Sequence, residues 1–130
     1  MERYERTESL ELTTETPARA RSVVSSLAAS WPLGADLTRR AELLASEIVA
    51  DAVDHGSDAA TLRICLEDGK LELELFDGPR RSAIATTGRD EGVPGMRMRV
   101  LAKVADGRYS SDIGESHYAR YELREHDFEL

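Results

Sequence analysis

A second cysteine is missing. Cys65 stands alone among 130 residues, so a disulfide within the chain is excluded. A reducing cytosol is the natural setting for such a chain. Long apolar runs are missing too, and nothing approaches the length of a membrane span. The first residues, MERYERTESL, alternate charge and polarity and do not read as a signal peptide. There is no internal repeat, no low-complexity tract and no Pro/Ser-rich linker. Positive charge is in deficit: 17 basic against 25 acidic side chains give a formal charge of -8. That balance argues against a nucleic-acid groove and against anionic membrane surfaces. Basic protein surfaces, metal ions and metal-bound nucleotides stay open as partners. The expectation is a soluble, cytoplasmic protein with a single domain over 1–130 and a core of about 8–124. A chain of this size buries roughly two-thirds of its unfolded surface and needs no staples.

Glycine and proline cut the chain into short elements. Leu10 and Leu12 alternate with polar residues and suggest a short first strand. Thr16-Pro17 reads as a helix start, an oxygen-bearing cap followed by Pro at the first helical position. Ala20, Val23, Val24, Leu27, Ala28 and Trp31 follow at helical spacing, and Pro32 and Gly34 end the run. A second helix runs from near Asp36 to Gly56, with Leu37, Ala41, Leu44, Ile48 and Ala52 as its buried stripe. Two alternating runs, ATLRICLE and KLELELFD, then meet at Asp68-Gly69 as a hairpin. Its apolar face is Leu62, Ile64, Leu66, Leu71, Leu73 and Leu75; Cys65 falls on the other face as a half-buried thiol. From Gly78 to Gly95 no period holds, and Arg80, Arg81 and Arg89 make this loop a basic patch on an acidic protein. Met96, Val100, Leu101 and Val104 suggest a third helix. Two short strands, around Tyr109 and from Tyr118 to Leu123, turn at Gly114, and 126–130 reads as a frayed tail. The order predicts an α/β two-layer sandwich: a mostly antiparallel mixed sheet with three helices packed on one face.

The stretch SEIVADAVDHG raises a chemical question. Glu47 and Asp51, with Asp54 or His55, fall at i, i+4 and i+7/8, so they line one stripe beside the apolar one. A carboxylate pair there can hold magnesium, which prefers oxygen ligands. One carboxylate can also accept a proton from a hydroxyl or a water. Alternatively the stripe is a solvated helix edge, with His55 near the negative end of the dipole. Asp77-Gly78 closes the hairpin, and Gly92-Val93-Pro94-Gly95 opens the third helix, where backbone N–H groups can approach a phosphate.

Taken in this order, the pieces resemble the histidine-kinase-like (GHKL) ATPase superfamily, and within it the small actinobacterial anti-sigma-factor and serine-protein-kinase branch. ARARSVVSSLAASWPL looks like that branch's first helix and AELLASEIVADAVDHG like its second. GVPGMRMRVLAKVAD is similar to its glycine box and third helix, and GESHYARYEL to its last strand. The resemblance implies a regulator that binds a sigma factor and an anti-anti-sigma partner, with ATP and magnesium as cofactors. It makes Glu47 the general base that activates a serine of the partner, and Asp51 the metal ligand. It places Asp77, with Gly78, at the adenine amino group, Gly92 and Gly95 around the phosphates, and Ser116 near the base. Members of the branch are often dimeric, so a homodimer through the hairpin faces or the first helix is a further expectation.

Three departures accompany it. Asp51 stands where the family has Asn; an ionised Asp only accepts hydrogen bonds and adds a negative charge near a triphosphate. Asp77-Gly78 lacks the later glycines of the superfamily pattern. Pro94 removes a backbone donor from the glycine box. Three readings follow: an anti-sigma regulator with kinase activity, a regulator of the same fold that works without nucleotide, and a magnesium-dependent nucleotide hydrolase using Glu47 and Asp51.

Overall fold

The computed structural model describes residues 2–80 and 103–125. Strand β1 (Arg3–Glu11) leads into helices α1 (Thr16–Leu27) and α2 (Ala35–Asp54). Strands β2 (Ala59–Glu67), β3 (Lys70–Gly78), β4 (Gly107–Ile113) and β5 (Ser116–Arg124) follow. They form one five-stranded sheet in the order β1-β2-β3-β5-β4. All four neighbouring pairs are antiparallel, in line with the mostly antiparallel sheet expected.

The two-layer arrangement is as expected. Leu37, Ala41, Leu44, Ala45, Ile48, Val49 and Ala52 of α2 are buried with Leu62, Ile64, Leu71, Leu73, Leu75 and Leu123 of the sheet in one core. α1 contributes Ala20, Val23, Val24 and Leu27 to it. The period of 3.6 on the helices and of 2 on the strands sends these residues to a shared interior. Of the expected third helix, only Lys103 and Val104 are described, and both are helical. The rest of it, the basic loop from Arg81 onward and the tail of 126–130 lie outside the described residues.

Local differences have local causes. β1 begins at Arg3, well ahead of Leu10. Its inward positions Arg6 and Glu8 are charged, so no apolar alternation announces it. The Arg6 guanidinium meets the Glu8 carboxylate at 2.6 Å, and Arg19 of α1 reaches the same carboxylate at 3.3 Å. Inward charges on an edge strand also discourage pairing with another chain.

Thr16 is not the cap of α1. Glu15 occupies that position, and the Thr16 hydroxyl donates to the Glu11 carbonyl at 2.7 Å while accepting from the Thr13 N–H at 2.8 Å. α1 ends at Leu27, and one further turn brings the Ser30 and Trp31 N–H groups to the Leu27 carbonyl at 3.0 and 2.8 Å. Trp31 then packs on Tyr4, ring centroids 5.7 Å apart. The hairpin turn is as read: Asp68 and Gly69 both take positive φ, 54° and 74°, as a two-residue turn between twisted strands requires. Cys65 is buried at 6% exposure rather than half-buried.

Candidate functional site

The C-terminal end of α2 is built as a Schellman turn. Gly56, at φ 80°, donates to the Val53 carbonyl and Ser57 to the Ala52 carbonyl. This turns the chain sharply into β2 and buries Ser57 beside the end of β3. Asp77 lies on the inward face of β3, in line with Leu71, Leu73 and Leu75, and its side chain is fully buried. The Ser57 hydroxyl donates to Asp77 Oδ2 at 2.6 Å.

Arg80 completes the arrangement. Its Nε donates to Asp77 Oδ2 at 2.8 Å and its Nη2 to Asp77 Oδ1 at 3.1 Å, a two-point fork. The same Nη2 reaches Asp51 Oδ2 on α2 at 3.3 Å. His55 Nδ1 lies 3.6 Å from the other Asp51 oxygen. Arg80 is held at its backbone too, where its N–H donates to the Glu115 carbonyl at 2.8 Å. Burial alone would lower the Arg80 pKa; the hydrogen bonds and charges of Asp77 and Asp51 outweigh it, and the value is raised.

Several residues singled out by the sequence thus converge. Asp51, Asp77 and Arg80 are joined, and Gly78 and Ser116 pack beside them. A Cβ on Gly78 would lie 2.7 Å from the Ser116 hydroxyl and 2.8 Å from its Cα, so this crossing of β3 and β5 admits only glycine. Ser116, Arg80, His55, Asp112 and His117 line a cavity of about 450 Å³. His117 Nδ1 and Asp112 Oδ1 are 2.7 Å apart across the β4–β5 hairpin. Their interaction, chiefly the hydrogen bond from His117, holds the Asp112 carboxyl below its ordinary range. Glu47 sits one helical turn before Asp51, half-buried. Gly92 and Gly95 lie outside the described residues.

Arg80 was expected in a basic patch of the loop, but its side chain is only 13% exposed. The signal was present in Asp77-Gly-Pro-Arg80: an arginine three residues after a buried carboxylate can fold back onto it. Ser57 was missed altogether.

Asp51 and Asp77, the residues the resemblance gives to metal and adenine, share a cation supplied by the chain itself. Among the described residues, no group of three or more His, Cys, Asp or Glu side chains is placed to hold a metal ion. In this arrangement both Asp77 oxygens, and Oδ2 of Asp51, face the Arg80 guanidinium.

Neither a family model nor a curated protein matches the sequence. Solved structures do match. One is "The crystal structure of the RsbU and RsbW domains of Rv1364c from Mycobacterium tuberculosis", with a TM-score of 0.74 at 14% identity. The fold is RsbW-like. The match covers 93% of this chain and 32% of that one, so the chain spans about a third of that structure's length. This agrees with the two-layer α/β fold expected from the sequence. No described helix is long and apolar enough to cross a membrane.

Proposed function

We propose that this chain is a cytoplasmic regulator of the anti-sigma type, which binds a sigma factor, an anti-anti-sigma protein, or each in turn. One observation carries the reading: an RsbW-like fold over 93% of the chain, reached independently of the motif resemblance. The closed Asp51–Arg80–Asp77 arrangement favours protein binding over phosphoryl transfer, because both Asp77 oxygens and one of Asp51 already face the Arg80 guanidinium. Co-purification of the tagged chain with candidate sigma factors of its own organism is the test, followed by competition with candidate anti-anti-sigma proteins. A stable complex that a competitor dissolves is expected. Absence of micromolar binding to every candidate of both kinds refutes the reading.

Phosphorylation of a partner serine by ATP is the second reading. It is favoured by Glu47, half-buried one turn from Asp51 on the same helix. Mass spectrometry of the antagonist after incubation with ATP and magnesium, beside a Glu47→Ala control, decides it. The homodimer belongs to the same proposal. Its surface is the outer sheet face, where Phe76, Tyr109 and Ile113 are 46%, 52% and 59% exposed. No feature of the described site favours the hydrolase reading.

A further inference from the structure

We propose that Asp51, Asp77 and Ser57 form a binding site for a planar group with two N–H donors along one edge, a guanidinium or amidinium, and that Arg80 is its resident ligand. Asp77 contributes a carboxylate with no exposed side-chain surface, and Ser57 donates to one of its oxygens. What the carboxylate still lacks is a pair of coplanar donors, and the Nε and Nη2 of Arg80 supply them at 2.8 and 3.1 Å. An ionised carboxylate only accepts hydrogen bonds, so a guanidinium edge matches it on both oxygens. An aminopurine edge, with one amino donor beside a ring acceptor, matches it on one. Asp51 adds a second negative charge, its Oδ2 lying 3.3 Å from the same Nη2.

Arg80 is also hard to displace by mass action. It lies three residues after Asp77, and its backbone is fixed to Glu115. Its guanidinium is therefore presented at the high effective concentration of an intramolecular ligand. A nucleotide that placed its base on Asp77 would first have to expel it. Arg80 thereby holds the site shut. This last step rests on the regulator reading above, whereas the guanidinium site itself does not.

The test uses the full chain with Arg80→Ala and Arg80→Gln, the latter keeping one donor for Asp77 should the alanine variant fail to fold. Thermal unfolding is followed with ethylguanidinium and, separately, ethylammonium, at equal millimolar concentrations. Ethylguanidinium is expected to restore stability lost in the variants and to leave the parent unchanged, while ethylammonium restores nothing. Adding Asp77→Asn to either variant is expected to abolish the restoration. Equal effects of the two cations, or restoration that survives Asp77→Asn, would overturn the site. Calorimetry with MgADP tests the gate: affinity is expected to rise at least roughly tenfold from parent to Arg80→Gln. Equal affinity, or no binding by either protein, overturns the gate. Partner binding is scored separately by co-purification, so loss of the regulator reading is not confused with loss of the site.

Discussion

Two arginines in this molecule stand in nearly the same company. On the outer face of the sheet, Arg63 lies between Glu5, at 2.7 Å, and Glu74, at 2.6 Å, and the Tyr118 hydroxyl donates to Glu74 at 2.7 Å. On the inner side, Arg80 lies between Asp77 and Asp51, and the Ser57 hydroxyl donates to Asp77. Each set is one guanidinium, two carboxylates and one hydroxyl. Their solvent contact differs. The Arg63 side chain is 33% exposed with partners at 38% and 20%, whereas Arg80 is 13% exposed, Asp51 27% and Asp77 not at all. Water can replace any member of the outer set, so the pairs there add little. Nothing but protein serves the Asp77 carboxylate, so loss of its partner leaves a buried charge uncompensated. The lesson is that connectivity alone does not rank the two; desolvation does.

The largest expected effect follows from that contrast. Arg80→Met should cost about 3 kcal/mol of unfolding free energy, read as a lower urea midpoint. Asp77→Asn placed in the Arg80→Met background should recover part of the loss, because a neutral amide tolerates burial. A double-mutant cycle on the pair should give a coupling of about 1–3 kcal/mol. The matching outer substitution, Arg63→Met, should cost no more than about 1 kcal/mol, and less in high salt. A cost equal to that of Arg80→Met would erase the comparison.

The smallest effect is in acid. The Arg63 hydrogen bond holds the Glu5 carboxyl below its ordinary range. Burial pushes Glu74 up, but the hydrogen bonds of Tyr118 and Arg63 outweigh it and leave Glu74 lowered as well. A carboxyl depressed in the folded state stabilises fully above its unfolded pKa. That contribution is lost as pH falls through the folded value. Urea midpoints measured downward from neutral pH should therefore fall more in the parent than in Arg63→Met, so the parent's advantage shrinks as pH drops from the usual carboxylate range through the lowered folded values.

What the sequence made legible follows the same divide between apolar patterning and polar partnership. α2 and the β2–β3 hairpin were readable because their inward positions are uniformly apolar, from Leu37 to Ala52 and from Leu62 to Leu75. β1 was seen only at Leu10, since Arg6 and Glu8 fill inward positions as a charge pair that the period-two rule does not count. At the site, Asp51, Asp77, Gly78 and Ser116 were each singled out by the sequence, and the structure brings them together. The tie between them was hidden. It depends on a side chain folding back three residues along the chain, and on a helix-ending turn that delivers Ser57. Neither has a periodic signature.

Ser57 carries one more consequence. Its backbone N–H closes the last turn of α2, while its hydroxyl grips the carboxylate at the end of β3. The helix that bears Asp51 and the strand that bears Asp77 are thus riveted together without help from Arg80. If that side chain swings away, the gap between the two acids should keep its width instead of collapsing. A newcomer would meet a preorganised opening and be spared the entropy of assembling it.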